Sequence, residues 1–339
     1  MSATSYRPLG SSGLKVSPIC LGTMMFGGPC AADEAGRIVA HAADQGINFI
    51  DTANTYEKGR SEEVTGRAVS GRRGHWVLAT KLAQPMGPGP NDRGLSRRNV
   101  IQATEASLRR LGTDWIDIQY IHRVDPTVPW VEIARTFGDL IQAGKIRYWG
   151  LSNVRAWHIP VVAQACRDAG APPPVVLQPC YNLMSRMPEV ELFPAARAFN
   201  LGIAAYSPLA RGILSGKYQP GSNAPPDTRA GRNDRRMMQT EWRPESLEIA
   251  QRLKAHAEAR GRTLVDLAVA WALNNAAVTS VIAGPRTFEQ WCSYLGALDY
   301  SWSREDEALV DALVAPGHPS TAGYTDPEYP VEGRFPQIG

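Results

Sequence analysis

The chain has 339 residues, and its 36 basic side chains nearly balance its 33 acidic ones, for a formal net charge of +3 at pH 7. This balance argues against nucleic acid as a partner, and no apolar run is long enough for a signal peptide or a membrane span. The five cysteines lack Cys-x-x-Cys spacing and the histidines lack metal-ligand spacing, so we expect a cytoplasmic protein without disulfides, metal or a membrane partner.

Strand-like and helix-like segments alternate along the chain after a short amino-terminal hairpin, which is predicted over residues 6–17. The predicted strands are 18–21, 46–50, 76–80, 115–121, 146–151, 175–177, 201–205 and 278–282. The predicted helices are 33–45, 61–69, 96–111, 130–143, 155–169, 189–199, 244–260, 264–274, 287–298 and 305–314. A polar loop rich in Pro, Gly and Arg occupies 207–243, and a Pro/Gly-rich tail occupies 315–339.

Eight strands, each followed by a helix, predict an α/β fold. Such alternation implies a parallel sheet with right-handed crossovers, and eight units favour a closed (β/α)8 TIM barrel over residues 1–339 as a single domain. The alternative is a doubly wound open sheet, but no Gly-x-Gly-x-x-Gly follows the first strand. We expect the tail rings Tyr324, Tyr329 and Phe335 to pin the tail to the barrel rather than to close a pocket.

The residues that end the eight strands are all small or polar. In chain order they are Gly22-Thr23, Asp51, Lys81, His122, Ser152-Asn153, Gln178, Tyr206-Ser207 and Gly284. Chemistry in such barrels takes place at the carboxyl ends of the strands. Any one of these residues could be structural, but Asp, Lys and His at one mouth are hard to explain as packing.

Asp51, Lys81 and His122, together with Tyr56 on the loop after Asp51, form a proton-donor set. Lys81 beside Asp51 is predicted to be an ion pair, and an ammonium close to the Tyr56 phenol should lower the pKa of that phenol. Such a phenol can donate a proton to a carbonyl oxygen, and His122 can offer a ring N–H to the same oxygen. The set suits a carbonyl that gains negative charge, as in hydride addition.

Several motifs together resemble the aldo-keto reductase superfamily. They are Gly46-Ile-Asn-Phe-Ile-Asp-Thr-Ala-Asn-Thr-Tyr56, Thr80-Lys81, Ile121-His122, Trp149-Gly-Leu-Ser-Asn153 and Tyr206-Ser-Pro-Leu-Ala-Arg-Gly212. The segments Gly94-Leu-Ser-Arg97 and Gly216-Lys-Tyr218 are similar to the branch with potassium-channel β-subunits and bacterial sugar-aldehyde and aryl-alcohol reductases. The resemblance extends to about residue 315.

This resemblance implies NADPH-dependent reduction of an aldehyde or ketone to an alcohol. The four catalytic residues of the family fall on Asp51, Tyr56, Lys81 and His122. By that resemblance Tyr56 is the general acid, Lys81 lowers its pKa, Asp51 holds Lys81, and His122 orients the carbonyl.

The resemblance also implies a set of residues that bind NADP(H). Ser152, Asn153 and Gln178 would bind the carboxamide, and Tyr206 would stack on the nicotinamide. The residues along the pyrophosphate would be Ser207, Pro208, Leu209, Arg211 and Gly212. Lys217 would contact a phosphate, and the loop residue Arg229 would clamp the cofactor. Arg286 and Gln290 match the adenosine end, and the positive charges of Lys217 and Arg286 favour the 2′-phosphate of NADPH over NADH. Gly22, Thr23, Met24, Asp51 and Gly284 complete the predicted set.

Some alternatives stay open at this point. A regulatory or sensor subunit of the same fold could hold NADPH with weak turnover, and a barrel lyase could form a Schiff base through Lys81. The strength of the NADPH preference is open, because the family usually has Glu and Asn where this chain has Ser293 and Tyr294. The identity of the small-molecule carbonyl substrate and the formation of a homo-oligomer are also open.

Overall fold

A short hairpin closes the amino-terminal end of a barrel in the computed structural model, which describes residues 5–333. Its strands Arg7–Pro8 (β1) and Lys15–Val16 (β2) pair antiparallel, which confirms the hairpin predicted over 6–17. Leu9 and Val16 are fully buried and belong to the same apolar cluster as the barrel interior. Gly10 has φ of 55°, and a Cβ there would lie 2.2 Å from the carbonyl oxygen of Val175, so only glycine fits this approach.

Eight parallel strands form the closed barrel, as predicted. They are β3 (Ile19–Gly22), β4 (Phe49–Asp51), β5 (Val77–Leu82), β6 (Ile116–Ile121), β7 (Ile146–Ser152), β8 (Val176–Gln178), β9 (Gly202–Ala205) and β10 (Ser280–Ala283). They are arranged in chain order around the barrel, and β10 pairs back onto β3 through Val281 and Ile19. The TIM-barrel prediction is therefore confirmed.

Helices surround the barrel, and most lie where periodicity places them. They are α1 (Ala32–Asp44), α2 (Arg60–Val69), α3 (Arg97–Leu111), α4 (Trp130–Gln142), α5 (His158–Ala169), α6 (Leu192–Ala198), α7 (Arg235–Thr240), α8 (Pro244–Glu258), α9 (Leu264–Asn274), α10 (Phe288–Leu295) and α11 (Arg304–Leu313). In the described residues 5–333, no helix has the length and apolarity that crossing a membrane requires.

One helix contradicts the prediction that 207–243 is entirely loop. Helix α7 starts after Asp234, whose side chain caps it by accepting a hydrogen bond from the backbone N–H of Met237. Met237 is fully buried, and it holds the short helix against the core together with the partly buried Met238. Six residues are too few to show a helical period within a segment rich in Pro, Gly and Arg.

Strand register places the apolar core below a polar layer. Side chains alternate along a strand, so every second residue points into the barrel. The interior is filled by Cys20, Phe49, Val77, Ala79, Ile118, Tyr120, Val176, Ala204 and Ile282. Two residues further on, the next inward positions are Gly22, Asp51, Lys81, His122, Gln178, Tyr206 and Gly284. The predicted ring of strand-end residues is therefore the top inward layer of the barrel.

The tail crosses the carboxyl face of the barrel. Arg155 donates to the backbone carbonyls of Tyr329 and Pro330 at 2.8 and 2.7 Å. The guanidinium of Arg243 lies 3.8 Å from the centroid of the Tyr324 ring, a cation–π contact. These contacts hold the Tyr324 ring and the backbone at Tyr329 against the body of the protein, whereas Phe335 lies outside the described residues.

Candidate active site

An ion pair buried at the barrel mouth forms the centre of the site. Lys81 ends the inward series of β5, and Asp51 ends that of β4. The Lys81 Nζ lies 2.5 Å from Asp51 Oδ2, and the two side chains are only 1% and 3% exposed. A charge pair this deep is stable only when both groups are also hydrogen-bonded.

The Lys81 ammonium has three acceptors, one for each of its protons. Besides Asp51 Oδ2, it donates to the carbonyl of Thr52 at 2.8 Å and to Tyr56 Oη at 3.1 Å. Tyr56 starts a tight turn in which Glu57 and Lys58 have φ of 47° and 57°. This turn brings the phenol back over the barrel mouth, so the structure joins Asp51, Lys81 and Tyr56 in one network, as the sequence predicts.

The hydrogen bonds of the network favour the charged forms of Lys81 and Asp51. Burial alone would lower the pKa of the Lys81 amine, but the charge of Asp51, the Tyr56 phenol and the hydrogen bonds to both raise it overall. Burial acts in the opposite sense on Asp51 and raises its pKa, while Lys81 and Gln178 oppose this rise. Both Asp51 oxygens accept hydrogen bonds, from Lys81 at 2.5 Å and from Gln178 Nε2 at 2.9 Å. We therefore treat the pair as ionised.

The expected low pKa of the Tyr56 phenol is wrong for this structure. Burial raises the pKa of Tyr56, and the ammonium of Lys81 lowers it only in part. The sequence indicated the neighbouring ammonium but could not show how deeply the phenol is buried. At neutral pH the phenol is consequently protonated, which is the form that a proton donor needs. The Lys81 ammonium lies 3.1 Å from the phenol oxygen, a position from which it would stabilise a phenolate.

His122 lies beside the phenol as a neutral imidazole. Its ring packs edge-on against Tyr56, with centroids 5.9 Å apart and planes at 85°. Burial, followed by the positive charge of Lys81, lowers the pKa of His122 to about 3. Its Nδ1 is buried and has no hydrogen-bond partner in residues 5–333. A neutral ring with one orphaned nitrogen is suited to hydrogen-bond a ligand at the mouth.

Polar side chains from β7, β8 and β9 continue the network on one side of Lys81. Gln178 links Asp51 to this side, and Ser152 Oγ donates to the carbonyl of Gln178 at 2.9 Å. Asn153 donates to the His122 carbonyl at 3.0 Å and accepts from Tyr206 Oη at 2.8 Å. The four predicted carboxamide and ring-stacking residues are thus joined in one hydrogen-bonded group around the catalytic set.

The segment after β9 folds into a tight basic turn. Ser207, Ala210, Arg211 and Gly212 all have positive φ, from 46° to 109°. A Cβ on Gly212 would meet nothing closer than Lys217 Nζ at 3.6 Å, so this backbone is open to a ligand. The turn carries the cations Arg211 and Lys217, and compact backbone with cations beside it is suited to phosphate. That this turn binds a pyrophosphate stays a prediction.

Residues 225–234 pack against the loops that follow β3 and β10. Arg229 donates to the sulfur of Met25, next to the predicted residue Met24 on the loop after β3. Arg286, after β10, donates to the carbonyl of Asp227 at 3.1 Å, and its own N–H donates to Gln290 at 2.8 Å. Arg229 and Arg286 are thus held next to the loops that follow β3 and β10. That Arg229 clamps a cofactor and that Arg286 binds its adenosine end stay predictions.

Two of the predicted cofactor residues are engaged within the protein. Gly22 packs under Ile282, where a Cβ would lie 2.7 Å from that side chain. The Thr23 hydroxyl interacts with Ser61 at 3.0 Å. Their contribution to a cofactor site stays a prediction, as does that of Gly284, where a Cβ would meet only the carbonyl oxygen of Gly22 at 4.0 Å.

A cavity of about 350 Å³ lies beside the catalytic set, between the ends of β7–β9, residues 240–243 and the tail. Its lining includes Asn153, Gln178 and Tyr206 but none of the catalytic four. Glu241, Tyr324 and Tyr329 also line it. The expectation that the tail tyrosines do not close a pocket is therefore wrong for Tyr324 and Tyr329, and Glu241 was not among the predicted site residues. Glu241 follows α7 in a segment expected to be loop, so no signal marked it as buried. In residues 5–333, no three His, Cys, Asp or Glu side chains are grouped as metal ligands.

Comparison with known proteins identifies the same family as the sequence motifs. The family model described as "Aldo/keto reductase family" matches residues 18–315. The chain belongs to the aldo/keto reductase family. It is 39% identical over 337 residues to "Uncharacterized oxidoreductase YrpG" of Bacillus subtilis, covering 94% of this chain and 99% of that protein. It is 38% identical over 300 residues to a "Probable voltage-gated potassium channel subunit beta" of Arabidopsis thaliana, covering 87% and 91%.

The branch suggested by the sequence motifs is confirmed as well. A rice protein with the same potassium-channel name is also 38% identical over 300 residues. As a member of the aldo/keto reductase family, this chain is an oxidoreductase. The family match begins at residue 18, so it covers the barrel and leaves the β1–β2 hairpin outside.

Proposed function

We propose that this aldo/keto reductase family member uses NADPH to reduce an aldehyde or ketone reversibly to an alcohol. The observation that carries the proposal is the 3.1 Å contact between Tyr56 Oη and Lys81 Nζ, in a network where Asp51 holds the same ammonium at 2.5 Å. This arrangement supplies one proton donor and stabilises the anion formed when the proton leaves.

Each catalytic side chain has a distinct task in this reaction. When bound, the reduced nicotinamide supplies the hydride that is added to the carbonyl carbon. Tyr56 gives its phenolic proton to the carbonyl oxygen, and Lys81 stabilises the phenolate that remains. Asp51 keeps the Lys81 amine protonated. His122, neutral at physiological pH, donates a hydrogen bond that orients the carbonyl.

The residues that would hold NADPH are those whose polar groups converge beside the catalytic set. Asn153 and Gln178 would bind the carboxamide, and the Tyr206 ring would stack on the nicotinamide. Arg211 and Lys217 would contact phosphate oxygens near the open backbone of the 207–212 turn. Arg286, 31% exposed and paired only loosely with Asp227 at 3.9 Å, is free to bind a 2′-phosphate.

A second candidate is a regulatory subunit that holds NADPH as a sensor. The printed names of the two plant relatives support it, since they describe potassium-channel β-subunits. Loss of absorbance at the reduced nicotinamide band with a panel of aryl, alkyl and sugar aldehydes separates the two functions. We expect turnover with at least one aldehyde. Tight NADPH binding without turnover across the panel would favour the sensor.

The Schiff-base alternative conflicts with the state of the Lys81 amine. All three protons of that amine are donated to acceptors, and its pKa is raised, so no lone pair is available for attack on a carbonyl. We therefore propose a small-molecule carbonyl, not a covalently trapped substrate, as the ligand of this site. Borohydride treatment with substrate should leave Lys81 unmodified.

The setting that we propose for this activity is the cytoplasm. All five cysteines are free in the described part of the chain, which fits a reducing compartment.

A further inference from the structure

The cavity beside the catalytic set, here called the side cavity, contains a buried carboxylate with no partner. Glu241 is 6% exposed and lines the cavity. Within residues 5–333, no hydrogen bond or ion pair reaches its side-chain oxygens. Because Glu241 lines the cavity and accepts from no protein donor in these residues, its side chain is suited to a ligand that brings a donor.

Other acidic side chains of the cavity are in a different state. Asp326 is paired with Arg236 at 2.6 Å. Glu191 is exposed to solvent. Glu241 is therefore the acid in the cavity lining that is both buried and without a partner.

The arginines around Glu241 direct their donors elsewhere. Arg155 donates to the backbone carbonyls of the tail, and Arg243 donates to Ser320, to Thr321 and to the carbonyl of Thr240. Arg211 donates through Nε to the hydroxyl of Thr240 at 3.2 Å. The charges of Arg243 and Arg211 act on Glu241 without a hydrogen bond to it, so its oxygens can accept from a ligand.

Besides polar residues and the arginines, the lining has aromatic and aliphatic side chains. The rings are Tyr206, Tyr324 and Tyr329, and the aliphatic side chains include Leu151, Leu177 and Leu192. Aromatic faces attract organic cations, and a carboxylate among them supplies the opposite charge. A volume of about 350 Å³ is within the range for a small organic ligand.

We propose that the side cavity binds a small organic amine, with the protonated amine donating to Glu241 and the apolar body packed against the tyrosine rings. This goes beyond carbonyl reduction, because the catalytic four do not line the cavity. Asn153, Gln178 and Tyr206 belong to both the cavity wall and the hydrogen-bonded group around Asp51. An amine in the cavity therefore contacts the polar wall of the active site.

The test compares benzylamine, protonated at pH 7.5, with the neutral and nearly isosteric benzyl alcohol, by titration calorimetry on the protein without NADPH. We expect benzylamine to bind at least about tenfold more tightly, because a charge-assisted hydrogen bond is worth about 1.5–3 kcal/mol. This comparison requires no variant and no catalytic activity, so it stands even if the proposed reduction is wrong. Equal affinities, as expected if Glu241 turns to pair with Arg211, would overturn the proposal.

Two variants locate the binding. Glu241→Gln should remove the preference for benzylamine over benzyl alcohol, whereas Glu191→Gln, on the exposed rim of the same cavity, should keep it. Tyr324→Leu should weaken both ligands by a similar factor, because it removes a ring from the wall. A preference that survives Glu241→Gln would place the amine elsewhere and refute the assignment.

Discussion

Replacing Asp51 with Asn removes the counter-charge of the most deeply buried ion pair of the site. Lys81 is 1% exposed, and Asp51 is the anion that contacts its ammonium. Removing one partner of a buried pair costs about 3–5 kcal/mol of the free energy of unfolding, because the remaining charge is left without compensation. We expect Asp51→Asn to lose this amount at pH 7.

The destabilisation of Asp51→Asn should depend on pH with a defined sign. Burial lowers the pKa of the Lys81 amine, and without Asp51 this effect is no longer outweighed. The pKa of Lys81 in the folded variant therefore falls below the unfolded value of 10.5. In that range the unfolded state binds more protons than the folded state, so the stability of the variant rises with pH. The difference in the free energy of unfolding between the wild type and Asp51→Asn should therefore decrease as the pH is raised from 7 towards 10.

Urea unfolding of the wild type and two variants measures this effect. The matched control is Asp139→Asn, which breaks the pair with Arg97, where both side chains are about half exposed. An exposed pair contributes about 0–1 kcal/mol. Two results would contradict the buried ion pair: Asp51→Asn is no more destabilising than Asp139→Asn, or its difference from the wild type in the free energy of unfolding does not decrease at high pH.

Three further predictions concern other parts of the site. The pKa of His122 falls from 6.5 when unfolded to about 3 when folded, so it contributes stability above pH 6.5 that is lost as the pH falls. In His122→Gln the free energy of unfolding should fall less steeply between pH 6.5 and 5 than in the wild type, with slopes that differ by up to about 1.4 kcal/mol per pH unit. Equal slopes in the two proteins would contradict a neutral His122 imidazole. Arg286→Ala should weaken NADPH about 10- to 100-fold, and NADH much less, as measured by fluorescence titration; equal weakening would remove the 2′-phosphate argument. Arg155→Met should speed proteolysis within the tail while leaving the unfolding midpoint nearly unchanged, and unaltered tail cleavage would show that its contacts to Tyr329 and Pro330 do not hold the tail.

The barrel and its polar mouth were predictable because they follow from local patterns. Apolar runs of strand length alternate with helical periods, and each run ends in a small or polar residue. Once the strands are parallel, their carboxyl ends must meet at one face, which brings Asp51, Lys81 and His122 together without knowledge of the coordinates. The structure adds the register, which places these residues in one inward layer.

Properties that depend on packing depth could not be predicted. The Lys81 ammonium, which the sequence predicted beside Tyr56, lowers the pKa of the phenol. Burial raises this pKa by more, so the pKa of Tyr56 is raised overall. Glu241 and the tail tyrosines meet through contacts between segments about 80 residues apart in the chain, and no local periodicity encodes such a contact. Helix α7 was missed because a single cap, one buried methionine and one partly buried methionine hold it.

The central claim is that Tyr56, supported by Lys81, donates the proton during carbonyl reduction. Its most direct test is the turnover number of Tyr56→Phe with an aldehyde that the wild type reduces, together with the NADPH dissociation constant of both proteins. We predict a loss of at least about 100-fold in turnover, with NADPH affinity within about twofold of the wild type. Normal turnover in Tyr56→Phe would contradict the account.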